Sequence, residues 1–150
     1  MITRLAAHVD TSNHYFVNVT TGGFGAVLSD ANGSLAYLAG LLNSRLLDWF
    51  LKNGSTTFHG GYFAANKQFL DQLPIEWPRP NDNRSRHVRL VSLVTLMLDL
   101  HVRQAAAKTP AEQNALARQI AHTDQQIDAL VYELYGLTDD EIRIVEEATK

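Results

Sequence analysis

The feature of the sequence that most constrains its fold is a pair of regularly spaced stripes in the second half of the chain. The first stripe is mostly apolar and follows a helical period: Leu90, Leu93, Val94, Met97, Leu100 and Gln104. The second alternates steps of four and three residues: Leu116, Ile120, Thr123, Ile127, Leu130 and Leu134. Between them, Thr109-Pro110-Ala111-Glu112 supplies an N-cap threonine, a proline at the first helical position and a capping-box glutamate. Two packed antiparallel helices have this pattern, so the sequence predicts a helical hairpin.

The hairpin has a clear end and a clear beginning. Gly136 ends the second arm, and Thr138 with Glu141 forms another capping box that opens a short final helix. Three of the four prolines lie in residues 74–80, where they block helix continuation. We therefore predict an α+β fold in two parts: a small mixed β/α module over residues 1–78, and over 79–150 an antiparallel helical hairpin with a short C-terminal helix.

The first part is predicted to mix short strands with helices. Residues 14–20 are rich in β-branched and aromatic side chains and predict a strand, with residues 24–29 as its neighbour. Ser34 is expected to cap one helix that runs to about Lys52 and stops at Asn53-Gly54. A short strand within 55–63, a brief helix over about 66–72 and an extended exit complete the module.

Composition limits the classes of protein to which the chain can belong. Its 150 residues have room for about one domain. The absence of cysteine excludes disulfides, thiolate nucleophiles and cysteine-bound zinc. No apolar run approaches the roughly 18 residues that span a bilayer, so we expect no membrane association and a cytoplasmic location. The net charge of −3 is uneven: residues 1–90 carry +2 and residues 91–150 carry −5. Residues 1–90 are therefore the better candidate for binding a polyanion.

Motifs for catalysis are absent from the sequence. It has no Walker phosphate loop, GxGxxG, HExxH or GxSxG, and no Asn/Asp-Pro-Pro-aromatic motif of amino-methyltransferases. The six histidines are scattered without metal-ligand spacing. We therefore predict no catalytic residue, no metal site and no cofactor in this chain.

Two segments suit contact with a polyanion. Residues 56–67 combine hydroxyls, paired glycines and a lysine, which are typical of backbone approach and phosphate contact. A tight turn that needs positive φ, with a solvated lysine, explains the same residues. The second segment places three arginines at the start of the long helix, where they oppose the helix dipole. They either pair with acidic groups of the protein or face a polyanion, and the sequence leaves both open.

Four segments in order resemble a known family. They are LLNSRLLDWF at 41–50, STTFHGGYF at 55–63, KQFLDQLPI at 67–75 and IDALVYELYGLT at 127–138, the last followed by Glu141-Ile142. Together they are similar to the TaqI-like C-terminal specificity domain, the target-recognition region of adenine-specific DNA methyltransferases and type IIG restriction–modification enzymes. We expect this chain to correspond to the later part of that region, with the strands before Tyr15 missing or shortened.

The resemblance implies a DNA-binding role without catalysis. Double-stranded DNA and a methyltransferase domain or subunit are the implied partners, and S-adenosylmethionine is expected only in the parent's methyltransferase domain. The residues expected near DNA are Thr56, Thr57, His59, Gly60, Gly61, Lys67, Arg45, Arg84, Arg86 and Arg89. Base-reading residues vary with the target in this family and are not assigned. The alternative is an interaction module, whose hairpin docks on a methyltransferase body or forms a homodimer. A further possibility is that the chain is an excised piece of an enzyme.

Overall fold

A computed structural model describes residues 2–10, 24–29, 33–77 and 84–150. Within these ranges the fold is mostly helical, with one small two-stranded antiparallel sheet. The elements in chain order are α1 (Leu35–Leu42), α2 (Arg45–Gly54), β1 (Thr57–Phe58), β2 (Tyr62–Phe63), α3 (Lys67–Leu70), α4 (Arg84–Ala106), α5 (Pro110–Tyr135) and α6 (Asp139–Ala148).

The predicted helical hairpin is confirmed. Helices α4 and α5 pack against each other, and Leu90, Leu100 and Leu116 of the predicted stripes are buried. At the start of α5, the Thr109 hydroxyl accepts a hydrogen bond from the Glu112 N–H, and the Glu112 carboxylate accepts one from the Thr109 N–H. Gly136 ends the helix with φ 67°, in the left-handed region that favours glycine. Local capping chemistry therefore sets the bounds of the second arm.

The helix predicted from Ser34 to about Lys52 is in fact two helices. Its start is correct, because the Ser34 hydroxyl accepts from the Tyr37 N–H. The chain breaks at Ser44, which is extended (φ −70°, ψ 152°) and caps α2 through the Leu47 N–H. The Asn43 side chain both donates to and accepts from the backbone of Ala7, at 2.9 and 3.0 Å. This contact with the N-terminal segment stabilises the break, and no helical period reveals it.

Within the described residues, the sheet is smaller than predicted. The predicted strand at 14–20 lies outside the described residues, and residues 24–29 form no strand. Their side chains are mostly exposed (Val27 by 92%), so they lack the packing that stabilises a strand. The short strand expected within 55–63 is a hairpin, with Thr57 opposite Phe63 and Phe58 opposite Tyr62. The brief helix at 66–72 is reduced to α3. In the described part of this module, strand is therefore confined to the β1–β2 hairpin.

One hydrophobic cluster connects the segments on both sides of residue 78. Its most buried members are Tyr37, Leu41, Leu47, Leu51, Leu90 and Val131. Helix α1 packs on α4 so closely that a Cβ at Gly40 would lie 2.7 Å from Val94 Cγ2. The buried Asp48 carboxylate accepts from the Leu5 N–H and pairs with Lys52, both at 2.7 Å, which attaches the N-terminal segment to α2. Among the described residues, no helix has both the length and the hydrophobicity that crossing a bilayer requires.

Candidate nucleic-acid interface

The predicted DNA-facing segment forms the β1–β2 hairpin. Its turn contains Gly60 and Gly61, with φ of 84° and 77°, a conformation that L-residues with a Cβ rarely adopt. A Cβ on Gly60 would also meet the Tyr62 ring at 3.4 Å. The side chains around the turn are exposed: Thr56, Thr57, Phe58, His59 and Tyr62. The glycines thus have a structural reason to be there, and the groups beside them are open to solvent.

The base of the hairpin is bonded to the rest of the chain. Ile2 and Phe63 exchange two backbone hydrogen bonds of 3.0 and 2.8 Å, and the Ala64 N–H donates to the Thr56 carbonyl at 2.9 Å. The Lys52 ammonium lies 5.6 Å from the centre of the Phe63 ring. Because β2 is bonded on both sides, β1 is the open edge. The hairpin therefore has a fixed base and an exposed tip.

Lys67 follows the hairpin at the start of α3. Its side chain is 77% exposed and pairs with Asp71 one turn later, also on the surface. An exposed ion pair of this kind contributes little to stability in water, since solvent and salt screen it. The ammonium can therefore exchange Asp71 for a phosphate at small cost.

Arg45 is held by a carboxylate of another helix. Its Nε lies 3.1 Å from an Asp128 oxygen, and its backbone N–H donates to the other oxygen at 2.9 Å. Asp128 is buried, and burial raises its pKa to about 6; nearby Asp124 also raises it, while Arg45 and Arg4 lower it. The pair joins the start of α2 to α5. The Arg45 guanidinium thus has an internal partner.

Of the three arginines at the start of α4, one pairs within the protein, one is exposed and one has no described side chain. Arg86 Nε lies 2.9 Å from a Glu133 oxygen, so this arginine pairs with an acidic group of the protein. Arg89 is exposed and makes no ion pair within the described part of the chain. Arg84 begins α4, and its side chain lies outside the described residues. Arg89 is thus open to an external anion.

A groove that the sequence did not predict lies between α5 and α6. It measures about 580 Å³ and is lined by Arg45, Gln125, Asp128, Tyr132 and Glu146, with Leu137 and Ile142 on its apolar side. The signal available in the sequence is Asp128, an acidic residue between the apolar residues of the second stripe. Its partner Arg45 is 83 positions away, so spacing alone does not pair them.

The described residues offer no arrangement for metal chemistry. In the ranges given above, no group of three or more histidine, cysteine, aspartate or glutamate side chains could hold a metal ion. His87, one of the scattered histidines, stacks on Tyr37 with 4.6 Å between ring centres, and its Nδ1 is buried without a hydrogen-bond partner in the described structure. The side chains gathered at the hairpin are instead hydrogen-bonding and aromatic groups.

Compared with protein-family models, with curated proteins and with solved structures, the chain matches none of them. Its function is therefore inferred from its residues and their geometry.

Proposed function

We propose that this chain is a non-catalytic DNA target-recognition module from a restriction–modification enzyme or an adenine-specific DNA methyltransferase. The observation that supports this most is the β1–β2 hairpin, where exposed hydroxyl, imidazole and aromatic groups surround a two-glycine turn on a fixed base. The four ordered segments that resemble the TaqI-like specificity domain supply the class of parent protein.

The hairpin has the chemistry for groove contact. A two-stranded ribbon enters the DNA major groove, which is about 12 Å wide. The hydroxyls of Thr56 and Thr57 and the imidazole of His59 can each donate and accept hydrogen bonds, so they suit base edges and phosphates alike. Gly60 and Gly61 carry no side chain at the tip, which lets the backbone approach closely.

The basic residues have two roles in this proposal. Lys67 and Arg89 are exposed and suit phosphate contacts, which position a protein on DNA without reading bases. Arg84 is assigned to the same role from its place at the start of α4. Arg45 and Arg86 act indirectly, because their pairs with Asp128 and Glu133 hold α2 and α4 on α5.

Methyl transfer belongs, in this proposal, to a separate methyltransferase domain or subunit. That domain binds S-adenosylmethionine, and this chain supplies target recognition and a surface for docking on the catalytic body. An Asn-Pro-Pro-Tyr-type motif upstream in the same reading frame is the expected finding. A parent reading frame that encodes an unrelated catalytic domain would contradict this part of the proposal.

Duplex binding at two salt concentrations tests the proposal. We expect fluorescence anisotropy to detect binding at about 50 mM salt. With about three phosphate contacts, affinity falls roughly 40-fold by about 200 mM, because neutralised phosphates release counterions. Undetectable binding at the lower salt concentration, or an affinity that does not change with salt concentration, would contradict direct DNA binding.

A second candidate function is an interaction module, and the surface of α4 favours it. Four large apolar side chains of this helix are exposed: Val88, Leu96, Leu98 and Val102, the last by 70%. Large apolar side chains exposed along one helix offer possible contacts to another protein. Light scattering over a hundredfold range of protein concentration separates the two candidates. A stable dimer that does not bind DNA favours the interaction module.

A further inference from the structure

The groove between α5 and α6 has the shape of a small-ligand site. Its volume of about 580 Å³ lies in the range of small-molecule pockets. Leu137 and Ile142 form an apolar side, while Gln125, Tyr132 and Glu146 supply polar groups. Of the residues assigned to DNA contact, Arg45 alone lines it, so the proposed DNA surface leaves this groove unused.

Tyr132 brings an unsatisfied polar group to the groove. The residue is 4% exposed, and its hydroxyl is buried without a hydrogen-bond partner in the described structure. Burial raises the pKa of this hydroxyl, and the carboxylates of Asp128 and Glu146 raise it further, against the opposing effect of Arg45. Those three residues also line the groove, so the buried hydroxyl lies close to its charged side. A neutral phenol in this position can accept a hydrogen bond from a ligand N–H.

The charges of the groove leave one carboxylate uncompensated. Asp128 pairs with Arg45, and Glu133 pairs with Arg86. Glu146 makes no hydrogen bond or ion pair within the ranges that the structure describes. Asp124 and Arg4, of opposite charge, both act on Asp128, so the unpaired Glu146 leaves the excess charge around the groove negative. An anionic ligand would therefore be repelled, and a cation would be attracted.

We propose that this groove binds an aliphatic cation, with an ammonium or guanidinium head between the Glu146 carboxylate and the Tyr132 hydroxyl. Such heads carry only N–H donors, which match an unpaired carboxylate and a phenol oxygen. The methylene stem lies against Leu137 and Ile142, as the stems of lysine and arginine lie on apolar surfaces. The cation is either a free small amine or the side chain of a partner protein.

Titration with two probes tests the proposal and distinguishes the sources. Agmatine represents a free aliphatic cation, and N-acetylarginine methylamide represents an arginine side chain on a neutral backbone. We expect saturable changes in the amide signals of Tyr132 and Glu146 in ¹H–¹⁵N NMR spectra. Saturation by both probes supports a side-chain ligand, and saturation by agmatine alone supports a free amine. No saturable change with either probe would overturn the proposal.

Three variants separate a specific site from general attraction to an acidic surface. Glu146→Gln and Tyr132→Phe should each weaken probe binding, the first by roughly tenfold because a charge-assisted hydrogen bond is lost. Glu147→Gln is the matched control, since it removes the same charge from the next position of α6 outside the groove. Circular dichroism checks that each variant is folded. Equal weakening by Glu146→Gln and Glu147→Gln would overturn the proposed site.

Discussion

Asp128 places a carboxylate where packing usually favours an apolar side chain. It lies on α5 beside the core residues Ile127, Leu130 and Val131, and its side chain is 8% exposed. Removing a carboxylate from water disfavours its charged form, which explains why its pKa rises to about 6 although Arg45 is adjacent. The Arg45 pair therefore compensates only part of the desolvation cost.

This shift predicts how stability depends on pH. The folded protein binds the Asp128 proton more tightly than the unfolded chain does. Protonation of Asp128 therefore stabilises the fold most below the unfolded pKa near 3.8, and this stabilisation is lost as pH rises through about 6. Urea unfolding should show wild type losing on the order of 2 kcal/mol relative to Asp128→Asn between pH 4 and 7. A difference between the two proteins that stays constant over this range would contradict the assignment.

Lys67 gives a second prediction for a single residue. If its ammonium contacts phosphate, Lys67→Ala should weaken binding to all duplexes by a similar factor, about three- to tenfold, and lower the salt slope by about one. Lys108→Ala is the control, since Lys108 is exposed in the connection between α4 and α5. Anisotropy on two unrelated duplexes measures both effects. Equal loss with the two variants would show a general charge effect rather than a phosphate contact at Lys67.

At the scale of elements, a substitution at Gly40 tests how closely α1 packs on α4. Gly40→Ala gains about 1 kcal/mol in helix propensity, but its Cβ would lie 2.7 Å from the stiff Val94 side chain. We expect a net loss of about 1–2 kcal/mol in thermal or urea unfolding. Gly54→Ala is the matched control, because nothing lies within 4 Å of the added Cβ, and it should be neutral or slightly stabilising. A stabilising Gly40→Ala would show that α1 and α4 are farther apart.

Local chemistry explains which elements the sequence predicts. The capping boxes at Thr109 and Thr138 act within three residues, so the starts of α5 and α6 follow directly from the sequence. The break between α1 and α2 depends on Asn43 bonding to Ala7, 36 positions earlier, which periodicity does not encode. Residues 24–29 have a strand-like composition, but strand formation depends on packing partners that composition does not supply.

In the candidate site too, local features can be predicted from the sequence and features that depend on tertiary contacts cannot. The glycine turn and its exposed hydroxyls are a local property, and the sequence locates them. The roles of the arginines depend on distant carboxylates: Arg45 with Asp128 and Arg86 with Glu133 are joined only by folding. The α5–α6 groove also depends on tertiary contact, and its Tyr132 is indistinguishable in sequence from an ordinary core aromatic.

On the scale of the whole molecule, the proposal predicts a monomer in solution. If the chain recognises DNA as proposed, the exposed apolar side chains of α4 contact a methyltransferase body rather than a second copy of this chain. Light scattering should therefore give the mass of one 16.7 kDa chain at all concentrations. A concentration-dependent dimer that Val102→Asp abolishes, with DNA binding unaffected, would instead support self-association through the hairpin.

The central claim is that the β1–β2 hairpin contacts DNA, and amide hydrogen exchange with and without duplex tests it most directly. We predict slower exchange over residues 56–67 when duplex is bound, and unchanged exchange over 98–118, around the connection between α4 and α5. Binding that leaves 56–67 unprotected, or that protects only 98–118, would contradict the claim.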